Sequence, residues 1–133
     1  ITMFLLTDLN IKLRPILLDL KPGTRIVSNT FNMGDWESDD KIKATGNCTN
    51  YCRAFKWVIP AKVEGNWRFG EGTLTLTQNY QMLSGNLTQN GKSVELTDAK
   101  MNGTQALVCF VKRRPSSAKI KSERVWNSAG KYW

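Results

Sequence analysis

The stretch "LKPGTRIVS", Leu20 to Ser28, decides how this chain is read. Pro22-Gly23 stops a helix, because proline cannot continue one and glycine takes the left-handed conformation that closes it. "TRIVSNTF", Thr24 to Phe31, then supplies the β-branched residues of a strand. Upstream, "IKLRPILLDLK" places Leu13, Leu17 and Leu20 at helical spacing, with Ile16 flanking the same stripe. Pro15 is unwelcome in a helix interior but suited to a first helical position, so the sequence predicts a short helix over 15–20. Thr7, Asp8 and Asn10 of "TDLN" are capping or turn residues. Before them, "ITMFLL", Ile1 to Leu6, is continuously apolar, the pattern of a strand buried on both faces. Strand, helix and strand within some thirty residues form one β-α-β unit whose strands are parallel neighbours.

Downstream the character changes. "NMGDWESDDKIKATGN", residues 32–47, is polar and irregular and reads as a connection. From Tyr51 onward only β-signals remain. "YCRAFKWVIPAKV" is a strand ending near Pro60, and "GTLTLTQ" alternates strictly, with Leu74 and Leu76 on one face and Thr73, Thr75 and Thr77 on the other. Asn90-Gly91 is a strong hairpin signal, and "NGT" at Asn102 marks another turn. "TQALVCFVK" is the most apolar strand and is expected at the centre, with a last strand near Ile120 to Trp126. Strands joined by short turns imply an antiparallel meander, able to curl into a half-barrel. The expected class is α+β. All 133 residues form a single domain in this reading, with the β-α-β unit in 1–36 and the β-rich part in 51–126.

Composition narrows the function classes. Apolar residues make up 41% and charged residues 23%, ordinary for a globular protein, and no apolar run approaches the ~20 residues of a membrane span. The net charge of +8 gathers in "KRRPSSAKIKSER", Lys112 to Arg124, where six basic residues meet one acid. Such a cluster suits nucleic-acid phosphates, but no nucleic-acid motif accompanies it. An edge hairpin guarded by Lys and Pro explains it as well, so a nucleic-acid partner is not expected. Three cysteines, an odd number, do not suggest a disulfide framework. The C-x3-C of "CTNYC" is half a metal site at best, since there is no histidine. We expect no metal and reduced thiols in a cytoplasmic protein, and we discount the glycosylation triplets at Asn47, Asn86 and Asn102. The chain opens at Ile1, inside an apolar strand and without a leader pattern, so it reads as a fragment of a longer one.

The segment "ITMFLLTDLNIKLRPILLDLKPGTRIVSNTFNMGDW", Ile1 to Trp36, resembles the fourth strand, following helix and fifth strand of class I S-adenosylmethionine-dependent methyltransferases. A bacterial group of these carries a β-rich tail with a phrase similar to "WVIPAKVEGNW", Trp57 to Trp67. The resemblance implies that the residues after both strands line a reaction cleft, as ligands do at the carboxyl ends of strands in open α/β sheets. It makes Asp8 and Asn10 the candidates to orient a nucleophile or accept its proton. Phe31, Asn32, Met33 and Trp36 become substrate-pocket walls. The chain departs from the group at Thr7, where proline is usual, and at Asn29, Thr30 and Asn32, which replace a more acidic run. Intact relatives bind S-adenosylmethionine with a glycine-rich turn after the first strand. The G-x-G here, Gly70 to Gly72, lies between β-segments with no helix after it, so no cofactor is expected for this chain alone.

Without histidine, Ser-His and Cys-His nucleophile systems are excluded. Three functions then compete. The first is the C-terminal part of a methyltransferase, inactive alone. The second is a β-rich module holding a small ligand between Trp57, Trp67 and Tyr80. The third is a basic nucleic-acid surface. An apolar strand at Ile1–Leu6 lacking its neighbour would expose its edge and faces, which predicts self-association into a dimer through it.

Overall fold

In the computed structural model, residues 1–112 and 120–127 are described, with side chains described to Val108. Their contacts gather into two compact units, Ile1–Pro60 and Ala61–Trp133. Among the described residues no helix is long and apolar enough to cross a membrane.

The first unit contains strand β1 (Thr2–Met3), helix α1 (Thr7–Leu18) and strands β2 (Arg25–Asn29), β3 (Asp40–Lys43) and β4 (Arg53–Val58). Strands β1 and β2 pair in parallel, Thr2 with Val27 and Met3 with Ser28, so the β-α-β unit is present. Its sheet has the order β1-β2-β4-β3. Because β1 is an edge strand, the expectation of burial on both faces is not met: Ile1, Phe4 and Leu6 are all more than half exposed. The ladder is also shorter than residues 1–6, because Phe4 to Leu6 leave it to enter the helix.

The helix starts eight residues before the expected Pro15. No side chain caps it; the carbonyl of Leu6 accepts from the amides of Leu9 and Asn10. Pro15 therefore lies in the interior, where it deprives the Ile11 carbonyl of its donor at a cost of about 3 kcal/mol. Local propensity is overridden by anchoring: Asn10 and Arg14 tie the helix to the segment after β2. Leu17 is buried and Leu13 half-buried, but Ile16 points outward at 66% exposure. The helix ends at Leu18, before Pro22-Gly23. Those two residues instead occupy the middle of a tight turn, in which the amide and hydroxyl of Thr24 both donate to the Lys21 carbonyl and Gly23 has φ +89°. Proline followed by a left-handed glycine is the preference of a type II turn.

Residues 32–47 are more ordered than their polarity suggests. Met33 and Trp36 are buried around a turn at Gly34, and β3 pairs with β4 as a hairpin. Strand β4, expected to open the meander, instead lies antiparallel to β2, with Trp57 opposite Ile26. Both residues are fully buried, and the Trp57 indole N–H donates to the Trp36 carbonyl at 3.0 Å. That bond, with the apolar faces of Ile26 and Trp57, explains why β4 joins the first sheet.

The second unit is an antiparallel sheet of β5 (Gly65–Phe69), β6 (Gly72–Asn79), β7 (Met82–Gln89), β8 (Lys92–Asn102), β9 (Gln105–Lys112) and β10 (Ile120–Asn127), paired in chain order. It curls as a half-barrel. The alternation in β6 is as expected: Leu74 and Leu76 are buried and the three threonines exposed. Asn90 and Gly91 both have positive φ, as the turn type favoured in hairpins requires. Strand β9 is paired on both sides but is next to last, not central. The carboxamide of Gln78 fastens the entering chain, accepting from the Val63 amide and donating to the Ala61 and Tyr80 carbonyls. Register shifts at Leu83/Asn86 and Thr97/Lys100 interrupt the ladders, and such bulges increase local twist. Of the basic run of Lys112 to Arg124, Lys112 ends β9 and Ile120 to Arg124 belong to β10, which pairs antiparallel with it; residues 113–119 lie outside the described residues.

Gly85, in the first of these bulges, has φ +151°, and a β-carbon there would sit 1.9 Å from the Thr75 carbonyl oxygen. Gly85→Ala should lower stability by about 3 kcal/mol, as overpacking against backbone does. Gly91→Ala, in open space but at φ +70°, should lose only about 1 kcal/mol. Urea unfolding of the two variants distinguishes them.

Candidate functional site

The candidate site is where β1 and β2 deliver their carboxyl ends. After β2 the chain turns sharply. Thr30 takes φ +67°, its amide donating to the Arg53 carbonyl at 2.7 Å and its hydroxyl to the Asn29 side chain. Residues 31–35 then lie against α1.

Asn10 holds this arrangement. It is fully buried, and its Nδ2 lies 3.3 Å from the Phe31 carbonyl, 3.1 Å from the Asn32 carbonyl and 3.3 Å from the Ser28 hydroxyl. The two carbonyls can only accept, which fixes the amide orientation. Its Oδ1 is buried with no hydrogen-bond partner among the described residues. One turn further along, Arg14 donates to the Met33 carbonyl at 2.9 Å and pairs with the Asp35 carboxylate. Asn32 Oδ1 accepts from the Thr7 hydroxyl and the Gly34 amide.

The predicted residues therefore divide. Asp8 and Asn10 share the first turn of α1, but Asp8 is exposed and Asn10 buried. Phe31 is half-buried and Asn32 exposed at the surface of the site. Met33 and Trp36 point into the interior, with 0% and 1% exposure, and Trp36 packs on Trp57 with ring centroids 6.0 Å apart. The alternative trio is split between the units. Trp57 is a buried residue of the first; Trp67 and Tyr80 are half-buried in the second, where the Trp67 indole donates to the Val63 carbonyl at 2.7 Å. Gly70 and Glu71 form the turn between β5 and β6.

Three contributors escaped the sequence reading. Arg14 looks like any solvated helix residue until its partners are known. Phe4, counted as strand, stands at the rim with its ring 5.8 Å from Phe31. Tyr51 meets Phe4 edge-on at 5.1 Å. Its neighbours Cys48 and Cys52, expected as free thiols, form a disulfide. Left-handed Gly46 and Tyr51 fold the loop so that the two Cα atoms lie 5.9 Å apart, within bridging range. A C-x3-C spacing inside a β-hairpin loop was the available signal.

Comparison with known proteins gives a partial match. The chain is 44% identical over 52 residues to a protein-lysine N-methyltransferase of Saccharolobus islandicus (strain REY15A), covering 38% of this chain and 32% of that protein. The chain thus spans about a third of the length of the curated relative it matches. No family model matches the chain, and no solved structure does. The matched portion makes a region of this chain methyltransferase-like.

Asn10→Ala should remove the donor shared by the Phe31 and Asn32 carbonyls and cost about 2–3 kcal/mol, the penalty for stranding buried polar groups. Asn10→Asp, which sets a carboxylate against two carbonyls, should cost at least as much. Asp8→Asn, on the exposed side of the same turn, should change stability by no more than about 0.5 kcal/mol. Chemical denaturation of the three variants separates the anchor from its neighbour.

Proposed function

We propose that this chain supplies the substrate-side wall of an S-adenosylmethionine-dependent methyltransferase acting on a lysine side chain, and that it does not catalyse transfer alone. The identity with a protein-lysine N-methyltransferase carries this reading. The parallel β1-α1-β2 unit, with polar side chains at the carboxyl ends of its strands, supports it.

The described residues do not fit the cofactor. A glycine-rich cradle works by aiming backbone N–H groups from a helix N-terminus, and Gly70 to Gly72 form a hairpin turn instead.

The chain's own residues suggest a division of labour. Methyl transfer to an amine needs the lysine nitrogen deprotonated, held in line and shielded from water. Asp8 is an exposed carboxylate at the mouth of the site, suited to attract the ammonium group and to orient the nitrogen once its proton has passed to water. Asn10 acts as a positioning residue: its amide N–H groups are committed to the chain after β2, and it fixes where Phe31 and Asn32 stand. Phe31, with Phe4 beside it, offers an apolar surface for the lysine methylenes.

Titrating this chain with S-adenosylmethionine should give no binding heat, and incubation with a lysine peptide no methylated product. Transfer by the chain alone would overturn the second half of the proposal. The upstream reading frame tests the first half: it should encode, in frame, a strand, a glycine-rich turn and a helix, and a stop codon directly upstream would refute it. In the extended protein, Asp8→Asn should lower kcat about a hundredfold, the cost of a misplaced nucleophile.

A further inference from the structure

The first unit also carries a disulfide-closed loop that the methyl-transfer reading leaves unused. Strands β3 and β4 pair as far as Lys43 with Arg53, and the Ala44 amide still reaches the Cys52 carbonyl at 2.7 Å. Beyond that bond the chain leaves the sheet, and Cys48 is joined to Cys52 four residues later. Cys48 is exposed and Cys52 half-buried, so a reductant can reach the bridge.

Of the three residues inside this small ring, Thr49, Asn50 and Tyr51, the aromatic one is Tyr51. Its φ is +57°, a backbone conformation that L-residues other than glycine adopt at a cost. Its side chain is 60% exposed, yet the ring meets Phe4 edge-on with centroids 5.1 Å apart and planes at 90°. Phe4, itself 57% exposed, stands 5.8 Å from Phe31. Tyr51, Phe4 and Phe31 thus form a row of three rings along the candidate site. One aromatic contact at the surface is a weak restraint. An open loop would have to lose its conformational freedom and adopt a disfavoured φ to make it. The covalent bridge removes much of that freedom in advance.

We propose that Cys48–Cys52 is a redox latch on this wall. Oxidised, it holds Tyr51 on Phe4 and completes the row beside Phe31; reduced, it frees Tyr51 and opens the row. Reduction by a dithiol balances simply. A reductant thiolate attacks the exposed Cys48 sulfur, the protein S–S bond breaks, and Cys52 leaves as a thiolate that takes up a proton. The second thiol of the reductant then displaces Cys48, which is protonated in turn, and the reductant departs as a cyclic disulfide. Two electrons pass to the protein. The latch concerns the shape of the wall and does not depend on which reaction the wall serves.

The test uses the whole chain, air-oxidised and then treated with dithiothreitol, with a mass gain of two hydrogens confirming reduction at Cys48 and Cys52. In the oxidised protein, NMR should show cross-relaxation between the Tyr51 and Phe4 rings. On reduction this should vanish, and chymotrypsin should cut after Tyr51 several-fold faster, while the amides of Ile26 and Trp57 keep their exchange protection. The Cys48→Ser/Cys52→Ser double variant should behave like the reduced protein, and reduction of the unmutated chain decides the matter should that variant not fold. Three results would overturn the proposal. One is failure to form the bridge in air. Another is a Tyr51–Phe4 contact and cleavage rate that survive reduction. The third is loss of protection at Ile26 and Trp57, which would make the bridge a staple of the whole sheet.

Discussion

The carboxamide of Asn10 is the contact on which the first unit turns. It sits in the opening turn of α1, fully buried, and faces the Phe31 and Asn32 carbonyls and the Ser28 hydroxyl. Those three groups belong to the end of β2 and the chain just beyond it. A buried backbone carbonyl without a donor is costly, so the chain after β2 can lie over this face only if a donor is supplied there. Asn10 supplies it, and Arg14 repeats the device one turn later at Met33. With residues 31–35 held down, Met33 and Trp36 reach the interior and the Trp36 carbonyl meets the Trp57 indole. The position of β4 in the first sheet follows from that sequence of contacts.

The same contact explains how the helix tolerates proline. A helix beginning at Pro15 would satisfy local preference but would leave Asn10 outside it, unable to face Ser28. The early start costs the Ile11 carbonyl its partner. It gains anchorage at two successive turns along one face.

How far the sequence disclosed this depends on whether the signals were local. The parallel β-α-β unit, the alternation of Leu74 and Leu76 with threonines and the Asn90-Gly91 hairpin were legible, because each rests on periodicity or turn chemistry within a few residues. The helix start, the pairing of β4 and the burial of Met33 and Trp36 were not, because distant partners decide them. In the candidate site the distinction is sharper. Asn10 was singled out as a polar residue after a strand, but its neighbour Asp8 carried an identical signal and stands in solvent. Tyr51 was hidden in a loop whose conformation depends on a covalent bond between two cysteines that the count of three argued against.

The pairing of β5 to β10 strictly in chain order has a kinetic corollary. Each hairpin closes over a short separation, so the loop-closure entropy is small at every step. A sheet assembled in this way has low contact order, and topology of that kind favours rapid folding. The first unit is built the other way: β1 finds β2 across a whole helix, and β2 finds β4 across more than twenty residues. The two halves of the chain are therefore matched to different clocks during folding, with the meander able to zip up from its turns while the β-α-β unit still searches for its partners.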